Sequence, residues 1–206
     1  MNTAATMIKN IIIIGDSQIG YTSLCKDIEK DETPLRYGSH SLSKSGYDLK
    51  FLWQTARTAY GVDFDYIKKL LKNNMSDLGE NSVIVSEFGG MDIIMQYNKK
   101  YKDFDDTIYK YTDEVIRFCK EYNTKLIFVC PWWLYEEDDI YQPWLDMTDL
   151  IKKISKEKGL PEPIEIMYNV VGRKYDTVDQ FKHHTAEDSD RIVDYVILKV
   201  EEAYGS

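Results

Sequence analysis

The sequence predicts an α/β fold, a three-layer α/β/α sandwich on a mostly parallel central sheet. Three observations lead there. Residues 11–14 are an unbroken isoleucine run closed by Gly15, as expected of a central strand covered on both faces. Short apolar runs recur at 82–88, 126–130 and 164–168, each followed by turn or loop residues. Between such runs lie stripes of helical period, and strands alternating with helices give a parallel sheet between helical layers.

Taken in order, 11–14 is the first strand, and 35–37 is read as a shorter one. Leu49, Leu52, Trp53 and Ala56 make a helical stripe after Gly46, and Phe64, Ile67, Leu70 and Leu71 make another after Gly61. The strand at 82–88 follows. Phe104, Ile108, Tyr111, Val115, Phe118 and Tyr122 recur at spacings of three and four, predicting a long amphipathic helix before the strand at 126–130. Leu150, Ile151 and Ile154 mark a helix halted by Gly159 and Pro161, with a strand expected at 164–168. Ile192, Val193, Val196, Ile197 and Val200 form the last helix, with Thr185 as its N-cap.

The 206 residues suit one domain, 1–206, with no repeat or linker. A hydrophobic share of 43% and a charged share of 30% are those of a globular chain. The formal charge of −9 argues against nucleic-acid binding and against an electrostatic grip on anionic membranes. No apolar run reaches the ~20 residues of a membrane span. Residues 1–7 lack the pattern of a signal peptide, so a cytoplasmic location is expected. Cys25, Cys119 and Cys130 are widely spaced and odd in number, which predicts reduced, buried thiols. No His or Cys cluster has metal-ligand spacing, and neither metal nor cofactor is expected. The oligomeric state is not legible.

Parallel sheets bind ligands beyond the carboxyl ends of their strands, here at 15–20, 87–92, 131–141 and the loop before the last helix. Ser17 stands where the first strand turns into a helix, a place that favours developing negative charge; the alternative use of a serine there is a helix cap. His183 and His184 precede the last helix, with Asp176 and Asp179 upstream. A base must reach the serine hydroxyl, and a carboxylate should hold its tautomer. His40, in a polar Gly/Ser stretch, is read as structural or exposed.

Gly15-Asp16-Ser17 after an apolar strand resembles the first signature block of the SGNH (GDSL) hydrolases, flavodoxin-like α/β enzymes. Ser45-Gly46-Tyr47-Asp48 is similar to the second block, Gly89-Gly90-Met91-Asp92 to the third, and His183-His184-Thr185 to the fifth, in family order. The resemblance implies a serine esterase or deacylase acting on a short acyl ester, a small molecule or an O-acetyl carbohydrate. It makes Ser17 the nucleophile, His183 the base and Asp179 its orienting carboxylate, with the N–H groups of Ser17, Gly46 and Gly90 around the oxyanion. His184 fits the base position almost as well as His183, and Asp176 competes with Asp179.

Two departures stand out. Met91 replaces the family's asparagine, and one oxyanion donor is worth about 3 kcal/mol. Asp179 precedes His183 by four residues rather than three. These departures support a second reading, a non-catalytic SGNH-fold module that binds a glycan or a protein. Trp132, Trp133, Tyr135, Tyr141 and Trp144 crowd one loop, where they plug the domain or stack on a sugar, and Glu136 to Asp139 form a solvated acidic run. Gly15 to Ser23 also resembles the phosphate loop of small GTPases, but Tyr21 takes the lysine position and no base-reading motif follows.

Overall fold

The computed structural model describes residues 7–24, 37–54, 72–73, 78–97, 104–132, 138–172 and 183–205. Along them run β1 (Asn10–Gly15), α1 (Ser17–Leu24), β2 (Tyr37–Lys44), β3 (Tyr47–Gln54), β4 (Ser82–Glu87), α2 (Gly90–Tyr97), α3 (Phe104–Glu121), β5 (Lys125–Val129), α4 (Asp138–Glu157), a π-helical turn (Met167–Val171) and α5 (Ala186–Tyr204). The sheet order is β2-β3-β1-β4-β5. Among these strands, only the β2–β3 pair is antiparallel. The α/β class and mostly parallel sheet match the expectation.

The continuous apolar runs became the inner strands. β4 is buried throughout and β1 at every residue after the first, because helices cover both faces. Side chains alternate across a strand, so Gly15 and its partner Trp53 face one way, while Ile14, Leu52 and Ser86 face the other. Gly20 of α1 approaches Trp53, and Tyr111 of α3 reaches the Ser86 hydroxyl at 3.1 Å. Hence α1 and α3 lie on opposite faces. α5 packs beside α1, and α4 packs against α2 and α3. Ile108, Tyr111, Val115 and Phe118 of the stripe predicted for α3, and the stripe predicted for α5, are buried, and Thr185 caps α5 by accepting from Asp188 N–H at 3.2 Å.

Two expectations fail. The stripe after Gly46 is the strand β3. Ser45 and Gly46 both have positive φ, 54° and 86°, the geometry of a tight hairpin turn. Phe51 and Trp53 then bury on one face and Leu52 and Gln54 on the other, so the three-residue spacing of Leu49 and Leu52 carries no helix. At 164–168 a single parallel bridge joins Ile164 to Val129 before the chain turns into the π-helix. Pro161 and Pro163 supply no N–H for a longer ladder. The expected short strand survives as Tyr37, the first residue of β2; 35–36, Ala56, Cys25 and the stripe at 64–71 lie outside the described residues. No helix among the described residues is long and apolar enough to cross a membrane.

Candidate active site

At the β1–α1 junction, Asp16 takes the capping role. Its Oδ1 accepts from Gln18 N–H at 2.8 Å, and its own N–H donates to Glu87 Oε2 at 3.0 Å. Ser17 is therefore the first helical residue, and its hydroxyl is not consumed as the cap. A Cβ on Gly15 would lie 2.7 Å from Glu87 Oε2 and 2.3 Å from Ile19 Cγ1, so only glycine lets the carboxyl group sit beneath the turn. The same contacts remove the phosphate-loop reading: carboxyl oxygens already hold the Asp16 and Gln18 N–H groups that a phosphate would need.

The closing segment returns to this helix. Tyr21, one turn after Ser17, lies flat on His183, with ring centroids 4.8 Å apart and planes within 2°. Residues four apart share a helix face, so the stacked imidazole meets α1 on the face that Tyr21 shares with Ser17. His184 lies over the next stripe. Its Nε2 is 3.0 Å from Thr22 Oγ1, its Nδ1 is 3.1 Å from Gln18 Oε1, and the Tyr21 ring meets it edge-on at 5.7 Å. Both histidines are buried, at 1% and 0% exposure. Burial, and then the neighbouring His183, push the His184 pKa down to about 3, which keeps its imidazole neutral. Of the two candidates, His184 has both nitrogens engaged by α1. Among the described residues, Ser17 Oγ hydrogen-bonds to neither imidazole. Catalytic hydrogen bonds are often loose before substrate arrives.

Gly90 opens α2 directly after β4, whose Ser86 is paired with Ile14, so it stands on the Ser17 edge of the sheet. Met91 is half-buried beside it and Asp92 is fully buried. Gly89 has φ 101°, and a side chain there would press on Met147 of α4. Gly46 is elsewhere, and its assignment to the oxyanion is corrected. β3 runs parallel to β1, with Asp48 beside Asn10 and Trp53 beside Gly15. The hairpin turn is thus at the amino edge, about seven residues or roughly 23 Å of strand from the nucleophile's end. Asp176 and Asp179 lie outside the described residues, as do Trp133, Tyr135, Glu136 and Glu137.

The remaining aromatic residues are mostly packing. Trp132 is buried, and Trp144 is buried with its N–H donating to the Pro131 carbonyl at 2.6 Å. Tyr141 and Tyr168 flank Trp144, their hydroxyls 2.7 Å apart, and Tyr168 is 48% exposed. Burial pushes the Cys119 thiol up to about 12 and raises Cys130 too, so neither is a nucleophile near neutrality.

No protein-family model and no curated protein sequence matches the chain. Solved structures do. The acetylxylan esterase Axe2 from Geobacillus stearothermophilus is similar over 96% of both chains, with a TM-score of 0.61 at 10% identity. A Desulfitobacterium hafniense protein described as lipolytic and of the G-D-S-L family is similar over 93% of this chain and 99% of its own, with a TM-score of 0.63 at 10% identity. An Agrobacterium tumefaciens protein described as an arylesterase covers 95% of this chain and 100% of its own, with a TM-score of 0.66 at 16% identity. The fold is that of the SGNH hydrolases.

On this SGNH frame the signature-like stretches separate. Residues 15–17, 89–92 and 183–185 gather at the carboxyl edge, and 45–48 do not. Sequence reasoning missed Glu87, Gln18, Tyr21 and Thr22. The one available signal was an acidic residue, Glu87, closing a strand whose centre, 83–85, is apolar.

Proposed function

We propose that the protein is a serine ester hydrolase of the SGNH type, acting on short acyl esters, O-acetylated carbohydrates among them. The Tyr21–His183 stack carries the reading, because it brings an imidazole against α1 one turn after Ser17. The acetylxylan esterase and arylesterase among the structural neighbours support it.

Ser17 Oγ attacks the ester carbonyl as His183 takes its proton, and the carbonyl oxygen becomes an oxyanion facing the N–H groups of Ser17 and Gly90. Collapse breaks the bond to the alcohol oxygen, which leaves with the proton from His183. Water, deprotonated by His183, then attacks the acyl-enzyme and releases the acid and free Ser17. Asp179 is the proposed orienting carboxylate. Met91 supplies no side-chain amide, so the donors proposed for the oxyanion are backbone N–H groups. For the alcohol, half-exposed Tyr168, backed by Trp144, offers a ring face to a sugar.

The test compares wild type and Ser17→Ala on p-nitrophenyl acetate and on acetylated xylo-oligosaccharide. Turnover by wild type alone is expected. Equal rates from both proteins would remove Ser17 from the chemistry, and glycan binding without turnover would favour the non-catalytic module.

A further inference from the structure

We infer that His184 is a positioning residue, a neutral bolt that fixes the loop carrying His183 onto the helix carrying Ser17. The inference rests on the proposed Ser17–His183 pair and adds a division of labour between two adjacent histidines.

Both ring nitrogens of His184 end on α1, to partners 162 and 166 residues away in sequence. All three groups are buried, Gln18 and Thr22 being 3% and 6% exposed. A neutral ring meets both partners in either tautomer. With the hydrogen on Nδ1, the ring donates to Gln18 Oε1 and Nε2 accepts from the Thr22 hydroxyl. With the hydrogen on Nε2, the ring donates to Thr22 Oγ1, whose own proton goes to the Gln18 backbone carbonyl at 2.7 Å, and Nδ1 accepts from the Gln18 amide NH2.

Two hydrogen bonds at opposite corners of one ring stop the segment from sliding along α1 and from pivoting about it. His183, next in the chain, inherits that placement and meets the face of Tyr21, while His184 meets its edge. Thr185 then caps α5, so consecutive residues anchor the base's segment to two helices. A displacement of about 1 Å at a reacting group can lower a rate a hundredfold. His184 needs no contact with substrate to matter that much.

The experiment uses His184→Phe, which keeps a ring but loses both hydrogen bonds, and His184→Gln, which keeps an amide able to reach Thr22. On p-nitrophenyl acetate, His184→Phe is expected to lose about tenfold to a hundredfold in kcat with KM within about twofold. His184→Gln is expected to recover part of that loss. Independently of turnover, the nuclear Overhauser contact between the Tyr21 and His183 rings should be strong in wild type and lost in His184→Phe. Unchanged kcat, or lost kcat with that contact intact, overturns the inference. Should His184→Phe fail to fold, Thr22→Val removes one bond from the helix side and is read by the same two measurements. A wild type without esterase activity sinks the proposed function instead. The ring contact still decides then: its loss in the variant upholds the bolt, and its persistence overturns it.

Discussion

The ring of Tyr21 lies parallel to the imidazole of His183, 2° from coplanar at a centroid distance of 4.8 Å. One is in the first helix and the other just before the last, so this contact joins the two ends of the fold at the candidate site. A flat stack constrains the tilt of the imidazole without occupying either ring nitrogen. Tyr21→Phe is therefore expected to keep most of the activity. Tyr21→Ala removes a buried ring and should cost roughly 3–5 kcal/mol of stability, with a larger fall in kcat than in KM. Urea unfolding and steady-state kinetics on the two variants check it; equal kcat in both would detach the ring from the base.

Gly46 supplies the control for the corrected oxyanion assignment. It has φ 86°, and a Cβ added there would meet nothing within 4 Å, so Gly46→Ala brings backbone strain but no clash. A stability loss of roughly 1–2 kcal/mol with unchanged kcat/KM is expected. A large loss of activity at unchanged stability would return Gly46 to the site.

How much of this was legible depended on whether a residue's partners were near in sequence. Residues 11–14 and 83–85 announce central strands because helices on both faces demand apolar runs without polar alternation. Thr185 announces a helix start because its cap partner, Asp188, is three residues on. β3 was misread because Leu49, Leu52 and Trp53 satisfy a helical spacing by chance, while the deciding signal was the turn at Ser45 and Gly46. At the site, Ser17 and the paired histidines were visible as residue types at strand and helix ends. Glu87 beneath Asp16, 71 residues away, and the Gln18–His184–Thr22 bolt were not. Only the folded sheet brings those groups together.

The depressed pKa of His184 makes a prediction about acid stability. Its ordinary value is 6.5 and its folded value about 3. Between those pH values the unfolded chain binds a proton that the folded chain refuses. The stabilisation is complete above 6.5 and drains away as pH falls toward 3, by at most about 1.4 kcal/mol per pH unit. Denaturant unfolding at pH 7, 6, 5 and 4 should give a shallower acid decline for His184→Gln than for wild type. Parallel declines would mean that His184 carries a proton in the native state.

Met91→Asn restores a side-chain amide beside Gly90, where the SGNH resemblance places an oxyanion donor. A rise in kcat of up to about a hundredfold, with little change in KM, is expected. An unchanged kcat would place the Met91 side chain away from the developing charge.

The central claim is that the Ser17 hydroxyl is a nucleophile activated by His183. Intact-mass measurement after incubation with a fluorophosphonate tests it most directly. One covalent adduct, localised to Ser17 by peptide mapping, is expected in wild type, with none in Ser17→Ala and much slower labelling in His183→Ala. An adduct that forms equally fast in all three proteins, or in none, would contradict the account.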